Sequence, residues 1–171
     1  AGAANNATML VDMGELSTDI ALTYGDSPRL IRTIPSGLNS LVKSTVQNLS
    51  VQEDQARQFI LKFGLERDRL EGQVFRAIET TLDNFTSELS KSIKFFQTRY
   101  PSVTVSQILL SGFGSTIPKL DAHVTEKLSI QATTASPWQN IQISQSDQQK
   151  LAPVAAEYAT AVGLAKRRNL A

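Results

Sequence analysis

LVDMGELSTDIAL, residues 10–22, is the stretch on which the reading of this chain turns. A short apolar run ends in Asp12, Gly14 and the polar pair Ser17 and Thr18 follow, and a second apolar run goes from Ile20 to Tyr24. Glycine and small polar residues between two apolar runs predict a tight turn joining two strands. The same residue types suit an anion. The backbone N–H groups of a glycine turn can converge on one, and a hydroxyl adds a donor. A carboxylate at a strand end can hold the water shell of a Mg²⁺ ion that bridges phosphate oxygens. Taken alone, the stretch is better explained as an ordinary hairpin turn.

Working outward, residues 8–12, 19–24 and 29–35 are apolar and β-branched and are separated by turn residues, including GDSP at 25–28. They predict an antiparallel meander. Next, Leu38, Leu41, Val42, Val46 and Leu49 recur at helical spacing. A second helix is expected after Ser50, which with Glu53 has the spacing of a capping box, and it should end near Gly64. In the longest element Val74, Ile78, Leu82, Phe85, Leu89, Ile93 and Phe96 form one apolar stripe, which Pro101 brings to a stop. The stripe covers about seven helical turns and reads as core packing.

VSQILLSGFGS (105–115) reads as a buried strand at 107–110 running into a glycine turn, and TIPKLDAHVTEKL (116–128) as a helix capped by Thr116. Strand, glycine turn and helix start together can present N–H groups and a helix dipole to a ligand. SIQATTA predicts a short strand, and SPWQNIQIS a loop with a short extended piece in which Trp138 plugs the core. The last helix, 151–168, carries Ala155, Ala156, Ala159, Ala161 and Gly163 on a small-residue face that suits close packing. His123, the single histidine, is expected in solvent.

Composition narrows the function classes. Of 171 residues, 41% are hydrophobic and 19% charged, and the formal net charge is +1, so no field draws the chain toward nucleic acid or anionic lipid. The absence of cysteine rules out a disulfide framework and thiolate metal sites, and fits a reducing compartment. With one histidine, no histidine metal cluster is available. No apolar run reaches the roughly 18 residues of a membrane span. The start, AGAANNAT, lacks the basic and apolar regions of a signal peptide, and residues 1–7 read as a linker.

Taken in order, VDMGELSTDIAL, IPSGLNSL, ILLSGFGSTIPKL, SPWQNIQIS and YATAVGLAKR resemble the PilM family of actin-like type IV pilus assembly proteins, with the FtsA division proteins next. The resemblance runs from Met9 to Arg168 and covers only the second lobe of that two-lobed fold. It implies an α/β, RNase H-like actin-type ATPase lobe built from residues 8–37 and 101–171, carrying a mostly helical insertion at 38–100. It implies ATP and Mg²⁺ as ligands, with Asp12 holding the Mg²⁺ through water, Gly14, Ser17 and Thr18 as a phosphate clamp, and Gly112, Gly114 and Ser115 as the adenosine-side turn. The implied role is a nucleotide-binding scaffold with at most weak ATPase activity. Its implied partners are the cytoplasmic tail of a PilN-like inner-membrane protein and the first lobe of its own chain, at the cytoplasmic face of the inner membrane. A lone lobe would also expose an interlobe face and could self-associate.

The chain departs from the family pattern at Phe113, where a second glycine is usual, at Lys119 after Pro118, and at Arg57 and Ile60, where an acid and a lysine are usual. Phe113, Arg57 and Ile60 favour an alternative, a nucleotide-free interaction module on the same fold. Phosphotransfer of the sugar- and acetate-kinase type is a third reading, for which no substrate-selecting cluster of acids and histidines is visible.

Overall fold

A computed structural model describes residues 5–25, 27–140, 144–151 and 158–166. Five strands form one sheet: β1 (Asn6–Met13), β2 (Thr18–Tyr24), β3 (Ser27–Ile34), β4 (Thr104–Gly112) and β5 (Gln131–Thr134). Their order is β3-β2-β1-β4-β5. The first three form the expected antiparallel meander, while β4 and β5 add in parallel on the far side of β1. Because β1 begins at Asn6 and Ala7 is buried, the predicted linker 1–7 is too long.

Alternation along β1 sends Ala7, Met9, Val11 and Met13 into the core and leaves Leu10 and Asp12 on the other face. Three helices follow the meander: α1 (Leu38–Leu49), α2 (Glu53–Phe63) and α3 (Gln73–Arg99). All seven residues of the α3 stripe are buried, each contributing about 1.5–3 kcal/mol of hydrophobic stabilisation. One hydrophobic cluster runs from the sheet through α1, α2 and α3, so the 38–100 insertion shares its core with the strands. After β4 come α4 (Leu120–Leu128), α5 (Gln145–Leu151) and α6 (Ala159–Ala165). No described helix is long and apolar enough to cross a membrane.

Several local expectations change. Ser50 does not cap α2. It closes α1 in the left-handed conformation (φ 54°), and α2 starts beyond Gln52 with no side-chain cap. Thr116 does not cap α4 either. The Thr116 hydroxyl donates to the Phe113 carbonyl (3.0 Å), and α4 begins after a left-handed Lys119. Trp138 is half-buried and ties down the following segment, with Nε1 donating to the Leu151 carbonyl (3.2 Å) and its ring centroid 6.2 Å from that of Tyr158. Among the described residues none of α6 is buried and a Cβ on Gly163 would meet nothing within 4 Å, so there Ala159, Ala161 and Gly163 do not serve close packing. Ala155 and Ala156 lie outside the described residues, as does the stretch 141–143 of SPWQNIQIS, where a short extended piece is expected.

His123 is buried, not solvated. Its ring lies edge-on to Phe75 at 6.1 Å, and Nε2 has no hydrogen-bond partner among the described residues.

Candidate functional site

The two motifs that the sequence singles out meet at the ends of adjacent strands. In the parallel β1–β4 register Asp12 stands beside Ser111, and Met13 beside Gly112. A cleft of about 470 Å³ opens there, lined by Asp12, Met13 and Gly14 from the hairpin, Gly112, Phe113 and Thr116 from the β4–α4 turn, and Leu61 from α2. Its three walls are therefore the two motifs and the inserted helices.

Asp12 is placed by its strand and held by two hydroxyls. Ser111 Oγ donates to Oδ1 (2.9 Å), and Thr160 Oγ1 of α6 donates to Oδ2 (3.4 Å). The antiparallel register sets Asp19 opposite Asp12 on the same sheet face, where Thr33 Oγ1 donates to Asp19 Oδ1 (2.5 Å). A hydroxyl–carboxylate row thus crosses four strands, Thr33, Asp19, Asp12 and Ser111. On that face a second groove, about 420 Å³, lies over Leu10, Ala21, Ile31 and Leu109 with Asp12 and Asp19 at its end. Asp12 stands on the ridge between groove and cleft.

The hairpin turn is built into the fold as much as into the cleft. The Gly14 amide donates to the Ser17 carbonyl (2.8 Å). The Gly14 and Glu15 carbonyls in turn accept from the Leu38 and Asn39 amides at the start of α1 (3.0 and 2.9 Å), supplying the cap that its sequence lacks. The approach is so close that a Cβ on Gly37 would stand 2.6 Å from the Gly14 carbonyl oxygen. Glu15 also forms a two-pronged ion pair with Arg57 of α2, with Nη1 to Oε2 at 3.1 Å and Nη2 bonded to Oε1. This contact holds the Glu15 carboxyl below its ordinary range and pushes the Arg57 guanidinium further up.

Gly112 has a different constraint. Its φ is +59°, and a Cβ would fall 2.7 Å from Asp12 Oδ1 and closer still to the Met13 carbonyl oxygen. Only glycine fits between the two strand ends.

Of the residues predicted for the site, Asp12, Gly14 and Gly112 line the cleft. Thr18 does not: it is fully buried and its hydroxyl donates to the Ser36 carbonyl (2.6 Å). Ser115 donates to the Gly112 carbonyl (2.6 Å) and Gly114 is buried against Met13 and Leu120, so neither faces the cleft. Ser17 lies at the hairpin, outside the lining, and contributes its carbonyl to the turn. The sequence reading missed Asp19, Ser111, Thr160 and the Glu15–Arg57 pair. Asp19 was accessible, since hairpin register pairs it with Asp12. The others depend on which strands and helices become neighbours.

A five-stranded 3-2-1-4-5 sheet with an inserted helical stretch and a cleft at the ends of β1 and β4 defines an actin-like α/β lobe. Solved structures agree. The chain is similar to one described as a PilM–PilN type IV pilus biogenesis complex (TM-score 0.78, 23% identity, 94% of this chain and 45% of that one). It is similar to the ethanolamine utilization protein EutJ from Carboxydothermus hydrogenoformans (TM-score 0.65, 16% identity, 94% and 49%). A third is MreB5 of Spiroplasma citri bound to AMPPNP (TM-score 0.61, 12% identity, 94% and 55%). The chain spans about half the length of each. A family model described as type IV pilus assembly protein PilM matches residues 1–169, and the chain belongs to that family. A comparison with curated protein sequences finds no match.

Proposed function

We propose that this chain is the second lobe of an actin-like nucleotide-binding scaffold for type IV pilus assembly. The observation that carries the reading is the cleft itself. Its volume lies in the range of small-ligand sites, each of its three walls carries an apolar side chain (Met13, Leu61, Phe113), and one carboxylate, Asp12, stands at the strand end beside two glycines. These residues fit Mg·ATP in part. Asp12, steadied by Ser111 and Thr160, would hold the water shell of the metal. Gly14 and Gly112 leave room for phosphates to approach the backbone, and Phe113 and Leu61 would face the nucleoside. When bound, Mg·ATP would supply a charged bridge between this lobe and the first. The work is assembly, with at most weak turnover.

Family membership and the similarity to a PilM–PilN complex support a partner of the same kind, the cytoplasmic tail of an inner-membrane pilus protein. That partner would hold the protein at the cytoplasmic face of the membrane.

A second reading, the nucleotide-free scaffold, is favoured by one specific observation. The Gly14 amide and the Thr18 hydroxyl, two donors expected at phosphate, are both engaged within the fold. Calorimetric titration of Mg·ATP into the intact two-lobed protein separates the two. The first reading expects binding that Asp12→Ala weakens about tenfold or more. Equal affinity in the variant removes Asp12 from the site, and no binding by the wild type establishes the second reading.

A further inference from the structure

Among the described residues Asp12 is the one charged residue lining the cleft, and it is negative. A phosphate chain placed there would meet a carboxylate, and the Thr18 hydroxyl expected at the phosphate points elsewhere. A cation stands on the helix that supplies Leu61 to the lining. Glu15 follows Gly14 on the hairpin wall. Arg57 precedes Leu61 by four residues on α2, about 6 Å along the same helix face. The Glu15–Arg57 pair therefore ties the hairpin that carries Gly14 to the helix that carries Leu61, and both side chains remain accessible, 42% and 32% exposed.

An exposed pair of this kind adds little to stability and exchanges partners readily. The guanidinium fork that grips both Glu15 oxygens matches the oxygens of a phosphate equally well. We propose that Arg57 is the phosphate-binding cation of this cleft, held in reserve by Glu15 and released to the ligand when a polyphosphate enters. The inference rests on the nucleotide reading above and adds to it a residue and a regulation. Glu15 competes with the ligand, so the cleft binds only chains charged strongly enough to displace it.

The competition has a signature that a simple brace between hairpin and helix does not share. If the pair only braced the cleft, removing either partner would act in the same direction. If Arg57 changes partners, the two removals act in opposite directions. The experiment is calorimetry on the intact two-lobed protein with Mg·ATP and with inorganic tripolyphosphate as probes, comparing wild type, Arg57→Ala, Arg57→Lys and Glu15→Gln. Thermal melting of each variant verifies folding. We expect Arg57→Ala to weaken both probes about tenfold, Arg57→Lys to fall between it and the wild type, and Glu15→Gln to tighten both severalfold. The tightening should shrink as salt is raised. Weakening by both Arg57→Ala and Glu15→Gln overturns the exchange and leaves a brace. Wild-type binding of Mg·ATP that Arg57→Ala does not change overturns the inference while keeping the nucleotide reading. Failure of the wild type to bind either probe overturns both.

Discussion

The two glycine turns that face each other across the cleft look alike in sequence and differ in what glycine does for each. Gly112 is forced. Its left-handed φ and the strand beside it leave no room for a Cβ. Gly14 has no such constraint: its φ lies outside the left-handed region, and an added Cβ would press only on the Ser17 carbonyl oxygen at 3.1 Å. The lesson is that a glycine in a nucleotide-type turn can owe its place to strand packing. The comparison breaks most visibly under substitution. Gly112→Ala should cost about 3 kcal/mol or more, because backbone strain and a backbone collision act together. Gly14→Ala should cost about 1 kcal/mol, since the Ser17 carbonyl has only to give by a few tenths of an ångström. Urea unfolding of the two variants measures both, and equal losses would erase the distinction.

The hairpin's own contribution is sharpened by Thr18. Its hydroxyl, fully buried, joins β2 to the β3–α1 connection through the Ser36 carbonyl. Thr18→Val keeps the shape and leaves that carbonyl without its donor, which should cost about 1–3 kcal/mol. The same variant should leave Mg·ATP affinity unchanged, because the hydroxyl does not face the cleft. A loss of affinity without a loss of stability would return Thr18 to the phosphate clamp.

What could be read in the sequence follows physical range. The hairpin, the α1 helix and the α3 stripe are local periodicities, and each stands in the structure where the pattern put it. Caps were misread because Ser50 and Lys119 adopt left-handed backbone that neither residue type advertises. At the site, Asp12, Gly14 and Gly112 were legible because strand ends carry them. Thr18 and Ser115 were misassigned because the type of a hydroxyl does not say which carbonyl it will find. Glu15 and Arg57 sit 42 residues apart, and only the packing of α2 against the hairpin makes them a pair. The terminal helix failed for a related reason. A small-residue face permits close packing, but only a neighbour can supply it, and among the described residues α6 buries nothing.

His123 gives the smallest expected effect and one whose sign can be worked out. Burial between α4 and Phe75 pushes its pKa down. Lys127 and Arg67 add to the depression, while Asp83 and Glu126 oppose it. A histidine whose folded pKa lies below its unfolded value binds a proton more readily when the chain is unfolded. Stability is therefore undiminished above the unfolded pKa, near 6.5, and falls as the pH drops through it toward the folded value, with a slope that for one proton cannot exceed about 1.4 kcal/mol per pH unit. The Asp83–Lys127 pair beside it, joining α3 to α4, is exposed and screened, so it modulates this slope without reversing it. His123→Leu removes both the proton site and the unpartnered Nε2. Melting curves between pH 7.5 and 5 should show the wild type losing stability faster than the variant, while the two differ least in slope above pH 7. Parallel curves over the whole range would mean that the ring takes up its proton as easily inside the fold as outside it, and that the contact with Phe75 opens in solution.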